Sequence, residues 1–280
     1  NTSQRSGDYS DIASYYRPGH ADYTFDEKYG FRDYRGGGRS SARETIGRVA
    51  AGAIAAKLLG ELGITVDAYV ESIGPVSISM DRFNLEEARR NPTGMPDAEA
   101  SAQAEEYLQK CIENQDSAGG VVSCKVHGMP AGIGEPVFDK LDACLGQAVM
   151  SIGAVKAFAV GDGCEVSKKN GSTNNDAFCN VNGQISKKTN HAGGILGGIS
   201  DGSDIILRAY FKPTPSIYQK QQTVNQAGEE IEIQIKGRHD PIVVSRAVVV
   251  VEAMTAVTIL DELLRNMTSR LDGIKKFYHK

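Results

Sequence analysis

Between Ala42 and Leu62 the chain reads ARETIGRVAAGAIAAKLLGEL, an alanine-rich run with apolar residues at helical spacing and Gly63 as its stop. Alanine and leucine lose little on entering a helix, so this segment is predicted to be one, and the fold must bury its apolar side. Ser41 and Glu44 stand at the S-x-x-E spacing of a capping box just ahead of it. The residues leading in, Arg35 to Thr45, read RGGGRSSARET. Glycines let a backbone come close to an anion, first-turn amides and the helix dipole favour negative charge, and arginines offer planar donor forks. A phosphate cradle and a plain surface turn with scattered arginines both fit this stretch taken alone.

The rest of the chain alternates strands with helices. Ile64 to Ile73 alternates in strand fashion and closes at Gly74-Pro75; Pro92 to Pro96 reads as a loop before a polar helix over 97–113 with a solvated face. A strand is predicted over Gly120 to His127, an amphipathic helix over Val137 to Met150, and a short apolar strand over Val155 to Val160. Gly161 to Asn190 is rich in Gly, Asn, Ser and Lys, almost without apolar residues and far longer than an ordinary connection, the composition of a mobile lid. Ile205 to Phe211 and Glu230 to Ile235 read as strands with a Pro-containing turn and a polar loop between them. The β-branched run Ile242 to Val251 favours strand locally, but Asp240-Pro241 offers an N-cap and a first-turn proline, and apolar spacing continues through Leu264. A long buried helix is the prediction. With no fixed-period repeat, the fold class is α/β or α+β, in a single domain spanning 1–280.

Composition narrows the function class. At 280 residues, 40% hydrophobic and 24% charged, the chain has the make-up of a globular protein rather than a disordered one. A net charge of -4 argues against nucleic acid as a partner, so any hold on phosphate must come from local clusters. Cys111, Cys124, Cys144, Cys164 and Cys179 are odd in number and scattered without a C-x-x-C pair, which argues against a disulfide framework or structural zinc and for a reduced, cytoplasmic setting. No metal-ligand spacing is present. No apolar stretch reaches membrane-spanning length, so no membrane partner is expected. The polar start at Asn1 without methionine suggests a truncated or processed beginning.

Four further segments carry candidate chemistry. In RPGHADY, Arg17 to Tyr23, Pro18-Gly19 fixes a turn with His20 beside Asp22; a histidine titrates near neutrality, and an adjacent carboxylate can orient it. His191, in NHAGGILGG, has no evident partner and is expected to bond backbone, while its neighbouring glycines permit close approach to a flat ligand. Lys212, in FKPTPS, stands at a strand end where a cation meets a phosphate or carboxylate. In GRHD, Arg238, His239 and Asp240 precede a helix start, with Asp240 either functional or simply its cap. No Walker pattern and no Ser-His-Asp ordering appears, which disfavours a nucleotide triphosphatase. Together these segments suggest a site for a small polyanion.

The blocks RPGHADYTFDEKYGFRDYRGGGRSSARET, PAGIGEPVFDKLDA, NHAGGILGGISDG, FKPTPSI and GRHDPIVVSRAVVVVEAM resemble, in order and spacing, the chorismate synthase family, and the resemblance runs from Asn1 to about Leu264. It implies a β-α-β sandwich, with helices packed between two antiparallel sheets, assembled as a homotetramer. The implied enzyme is a carbon-oxygen lyase of the shikimate pathway that feeds aromatic amino acid biosynthesis. It takes 5-enolpyruvylshikimate 3-phosphate to chorismate by anti-1,4-elimination of phosphate and needs reduced FMN, with NADPH or an outside reductant left open as the electron source. A non-catalytic flavin- or phosphate-binding relative is the alternative.

Residue by residue, the resemblance implies catalytic roles for His20, as an acid near the flavin, for Asp240, in accepting the substrate proton with the flavin, and for Ser41, as a proton relay. It implies FMN contacts at Arg39, Ser40, Ser41, Gly153, Ala154, Gly197, Lys212, Pro213, Thr214, Pro215, Ser216 and Arg238, and substrate-anion contacts at Arg17, Arg43 and Arg238. The segment 161–190 matches a mobile active-site loop that orders over flavin and substrate. Two departures stand out. Ala157 and Ala159 replace an expected glycine and glutamate. The family's amino-terminal segment with its G-E-S-H-G block, which carries a second catalytic histidine, is not in the sequence, so the chain is expected to be incomplete and, as it stands, inactive or severely crippled.

Overall fold

The computed structural model describes residues 11–34, 41–235 and 240–278. Helices run over Asp22–Tyr29 (α1), Thr45–Glu61 (α2), Leu85–Arg90 (α3), Ala98–Glu113 (α4), Leu141–Met150 (α5), Gly171–Asn174 (α6), Val244–Asn266 (α7) and Leu271–Tyr278 (α8). Strands run over Thr65–Ile73 (β1), Val76–Ser77 (β2), Gly120–His127 (β3), Val155–Val160 (β4), Phe178–Val181 (β5), Gln184–Lys187 (β6), Ile195–Leu196 (β7), Ile199–Ser200 (β8), Ile205–Phe211 (β9), Lys220–Val224 (β10) and Glu230–Gln234 (β11). The fold is mixed α and β, as predicted. Five strands form one antiparallel sheet in the order β2-β1-β3-β9-β4, and β5-β6, β7-β8 and β10-β11 form antiparallel pairs.

The core lies between that sheet and a helix layer. Val122, Cys124 and Val126 of β3 and Ile205, Leu207 and Ala209 of β9 are fully buried at alternate positions and join Val251, Ala256 and Ile259 of α7 and Leu59 of α2 in one apolar core. Helix α7 packs on β1 and β3, α2 packs on α7, and α5 packs on β4 and α7. Burial at Val244, Ala247, Val250 and Val251 follows the helical period, which explains why the β-branched run is helix despite its local preference. On the far side of α2, Ile46, Ile54, Leu58 and Leu62 stay exposed along one face. An apolar stripe there is what a second layer of a sandwich would cover.

Several boundaries differ from the sequence expectations for identifiable reasons. Helix α7 starts at Val244 rather than at Asp240-Pro241, because the Pro241 carbonyl accepts a hydrogen bond from the Ala118 amide (2.8 Å) and Asp240 pairs with Arg246 (2.6 Å) instead of capping. Helix α5 starts at Leu141 rather than at Val137, whose φ of 71° is left-handed and cannot begin a helix. The first turn predicted for α2, Ala42–Glu44, is a 3₁₀ turn. Strand β10 lay unseen in the polar loop, and β11 gives it a partner. The 161–190 stretch carries α6 and the β5-β6 hairpin, held by polar rather than apolar contacts. The Lys187 ammonium, 2% exposed, meets Asp201 (2.6 Å) and Asp176 (3.4 Å); burial raises both carboxyls but is outweighed at Asp176 by hydrogen bonds from Thr189 and the Ala192 and His191 amides, and at Asp201 by those from Lys187 and Ser203, which hold both ionised.

The α2-α7 contact allows a direct test. A Cβ on Gly52 would lie 2.3 Å from the Ala253 Cβ, whereas one on Gly47 would meet nothing within 4 Å. Gly52→Ala is expected to destabilise by about 1–3 kcal/mol through overpacking. Gly47→Ala, in the same helix, should stabilise by roughly 0.5–1 kcal/mol. Urea unfolding of the two variants should therefore shift the midpoint in opposite directions.

Candidate functional site

The segment before α1 is anchored first. Ile12 and Tyr15 bury against Ile233 and Ile235 beside the β10-β11 hairpin, and the Arg32 guanidinium reaches the carbonyls of Ile12 (2.9 Å) and Tyr15 (2.6 Å). On this base sits the Arg17-to-Asp22 turn. Asp22, almost fully buried, takes both sides of the Arg17 guanidinium, from Nε and Nη2 at 2.7 Å each, and also the Arg17 amide at 3.0 Å. Such a bidentate pair fixes orientation as well as charge. Burial pushes the Asp22 carboxyl upward, but the Arg17 hydrogen bonds outweigh it and hold the group below the usual carboxylate range. Asp22 therefore orients Arg17 and not, as the sequence suggested, His20.

His20 is oriented by two other groups. Its Nδ1 lies 3.1 Å from the Pro18 carbonyl and its Nε2 lies 2.9 Å from the Ser216 hydroxyl. A carbonyl only accepts, so Nδ1 carries a proton. Burial, then the Arg17 cation, lowers the ring from its ordinary 6.5 to about 4, with Lys212 adding to the effect and the Pro18 carbonyl and Asp22 opposing it. At neutral pH the imidazole is neutral, and Ser216 donates to Nε2.

The segment after β9 closes the other side. The Lys212 ammonium donates to the Gly19 carbonyl, and its amide donates to the Ala154 carbonyl (3.0 Å). A Cβ on Gly19 would meet the Pro215 Cβ at 2.8 Å, so at φ 70° only glycine lets the two segments touch. Burial, then Lys156, lowers the Lys212 ammonium. Thr214 Oγ1 is buried and has no hydrogen-bond partner among the described residues, which is unusual for a hydroxyl and marks a place that a polar ligand would satisfy. The Thr214 carbonyl accepts from Ser117 Oγ (2.7 Å), and the next residue, Ala118, donates its amide to the Pro241 carbonyl, which ties Asp240-Pro241 to the same corner.

Of the sequence candidates, His20, Lys212, Pro213 to Ser216, Gly153, Ala154 and Asp240 thus gather at one corner of the sheet. Ala154, with φ 72°, and the exposed Gly153 form the turn between α5 and β4. Arg48 of α2 bonds Ser151 ahead of that turn, bringing the start of α2 alongside. Ser41 caps the 3₁₀ turn through the Arg43 amide (3.3 Å) and not the Glu44 amide, while Glu44 pairs with Arg48 (2.8 Å) rather than reaching back. The capping box is therefore not made, although Ser41 still caps the turn. Arg43 is exposed in that turn. Gly197 lies at the β7-β8 turn beside the start of α5, at the opposite end of that helix from Gly153. Arg39, Ser40 and Arg238 lie outside the described residues.

Two sequence readings need correction. Asp240 is not a helix cap, as noted above. His191 bonds a side chain rather than backbone through its ring, its Nδ1 lying 2.7 Å from Asp162 and 3.1 Å from the Lys169 ammonium, because Gly161 allows the two backbones to meet. Among the described residues, no cluster of three His, Cys, Asp or Glu is placed to hold a metal, and no helix is long and apolar enough to cross a membrane.

The His20 environment gives a pH prediction. Unfolding releases the ring to its ordinary value, so below pH 6.5 the unfolded chain takes up a proton that the folded one refuses until about pH 4. Stability from neutral His20 is therefore complete above pH 6.5 and lost as pH falls toward 4, by roughly 3 kcal/mol at about 1.4 kcal/mol per pH unit. Chemical denaturation across that window should show wild type losing stability relative to His20→Gln; parallel pH profiles would contradict it.

Comparison with known proteins adds the family. The family model described as Chorismate synthase matches residues 1–264. The chain is 64% identical over 281 residues to a chorismate synthase of Lachnoclostridium phytofermentans, covering 100% of this chain and 77% of the relative, and 61% identical over 280 residues to one of Agathobacter rectalis, covering 100% and 76%. A crystal structure of a chorismate synthase superposes with a TM-score of 0.75 at 29% identity, over 91% of this chain and 74% of that one. The chain belongs to the chorismate synthase family.

Proposed function

We propose that the corner formed by His20, Lys212, Thr214 and Ser216 is the cofactor edge of a chorismate synthase active site, where 5-enolpyruvylshikimate 3-phosphate loses phosphate and a ring proton to give chorismate. The observation that carries this reading is the buried Thr214 hydroxyl, without a partner among the described residues, in the short segment whose Lys212 meets Gly19 and whose Ser216 meets His20, in a chain matched to the family over 1–264. Chorismate synthase activity, a lyase reaction, follows from that family and from relatives above 60% identity. A non-catalytic relative is not favoured.

The residues suit reduced FMN. Lys212 supplies positive charge, Thr214 an unused hydroxyl, and the Gly153-Ala154 turn an open backbone edge. Reduced flavin, when bound, supplies electron density that lets phosphate leave and takes it back as the ring proton departs. His20 holds a proton at Nδ1 and offers Nε2 to a ligand. Asp240, paired with Arg246, is the carboxylate for the departing proton. Arg17, fixed by Asp22, presents a pre-oriented guanidinium to a substrate carboxylate or phosphate, and Arg43 and Arg238 supply further charge. Ser41 contributes as relay or FMN contact with Arg39 and Ser40, Gly197 lines the flavin with the 161–190 loop above it, and NADPH or an outside reductant recharges the cofactor. Free thiols at all five cysteines suit a reduced, cytoplasmic setting, and a homotetramer is the assembly the family implies. The match from residue 1 to 264 lends no support to the expectation of an inactive chain.

The test is turnover by protein expressed from the complete reading frame, given reduced FMN and substrate without oxygen, with chorismate followed by its absorbance. Wild type should form chorismate. His20→Ala should slow turnover about a hundredfold or more while FMN affinity changes modestly. Asp240→Asn should also lower the rate; full activity in that variant would reduce Asp240 to the ion-pair partner of Arg246, and no product from wild type would end the enzyme reading.

A further inference from the structure

The 161–190 segment folds around a charge cluster that reaches beyond it. Lys187 of β6 meets three oxygens, Asp201 Oδ2 at 2.6 Å and Asp176 Oδ2 and Asn190 Oδ1 at 3.4 Å each. Asp176, whose side chain is 3% exposed, also holds the chain that follows the segment. Its Oδ1 accepts from the Thr189 hydroxyl (2.6 Å) and the His191 amide (2.8 Å), and its Oδ2 accepts from the Ala192 amide (2.9 Å). Asn190 extends this hold, its Oδ1 accepting from the Gly194 amide (2.8 Å) and its Nδ2 donating to the Asp204 carbonyl (2.8 Å). A carboxylate carried between α6 and β5 thereby fixes the 191–194 turn, which leads through β7 to the exposed Gly197. Two buried carboxylates and one ammonium stay ionised while these amides and hydroxyls complete the set, and removing a member leaves a buried charge without its partner. When the segment opens, the turn loses the acceptor of two of its amides.

We propose that Asp176 is a positioning residue for the flavin wall: from inside the 161–190 segment it shapes the 191–194 turn, so that segment and turn fold as one unit and Gly197 is presented to the ligand only while the segment is closed. The inference rests on the flavin reading for the ligand that meets Gly197; the coupling of segment to turn does not depend on it. The competing picture is a lid that moves freely over a fixed wall, as the Gly-, Asn- and Ser-rich composition suggests. The base of the segment argues for the single unit, because the Asp162 amide donates to the His191 carbonyl (2.9 Å) while the Asp162 carboxylate meets both Lys169 and the His191 ring. Coupling is reciprocal, so whatever FMN gains from the closed segment, the segment gains from FMN.

Amide hydrogen exchange on protein expressed from the complete reading frame, with and without oxidised FMN, tests the coupling. In ligand-free wild type the amides of the β5-β6 hairpin and of 191–194 should open together with equal protection, and FMN should slow both by the same factor. Asp176→Asn should speed exchange in both by at least about tenfold and weaken FMN binding, read by quenching of flavin fluorescence, by about tenfold. Thr189→Val, which removes one hydroxyl from Asp176, should move both readouts the same way by less. Gly52→Ala, which loosens the α2-α7 contact instead, should leave FMN affinity unchanged. A hairpin that opens without the turn, exchange unaltered in both the Asp176 and Thr189 variants, or an equal loss of FMN affinity in Gly52→Ala overturns the proposal. Joint acceleration of hairpin and turn with FMN affinity unchanged upholds the coupling and sinks the flavin contact at Gly197.

Discussion

The burial of α7 between the sheet and α2 is the constraint on which the rest depends. Its buried positions pack on β1 and β3 and share one core with the buried residues of β9, and Gly52 lets α2 approach Ala253 at backbone distance. Because β9 is pinned there, its continuation at Lys212 to Ser216 emerges at a fixed place beside the α5-β4 turn. Because α7 is pinned, Asp240-Pro241 leaves it toward Ala118, next to Ser117 and so to Thr214. The corner is assembled from loops, but rigid elements aim each of them.

The electrostatics of that corner then follow from what is, and is not, compensated. Arg17 is matched by Asp22, whereas the Lys212 ammonium, among the described residues, donates to a backbone carbonyl and has Lys156 nearby. A half-buried histidine under the charge of Arg17 and Lys212 resists protonation, and a hydroxyl without a partner among the described residues sits in the Lys212 segment. Each feature is unfavourable for the isolated chain and favourable for a chain holding an anion. Stability sacrificed at one place in this way is the usual mark of a binding site.

Much of the fold was legible because the strongest signals are periodic. The alanine-rich α2 and the long apolar period of α7 announce helices, the latter against its β-branched composition. Strand β10, with Gln221, Gln222 and Thr223, has no apolar alternation to betray it, and α1, DYTFDEKY, is charged with little amphipathic contrast. The proximity of Ser216 to His20, 196 residues apart in sequence, lies beyond any local pattern, and only the family resemblance placed both in one site. Nearness in sequence points Asp22 at His20, whereas the turn folds Arg17 back over it. Asp162 and His191 meet through a glycine contact that no spacing rule reveals.

The central claim is that this corner receives the flavin. A crystal structure of the chain with bound FMN tests it most directly. Flavin density is predicted in hydrogen-bond contact with Thr214 Oγ1, beside the His20 ring and Lys212. Flavin seated elsewhere, as in the cleft among α2, α5 and α7 lined by Ile54, Cys144 and Leu264, with Thr214 still unpartnered, would contradict it.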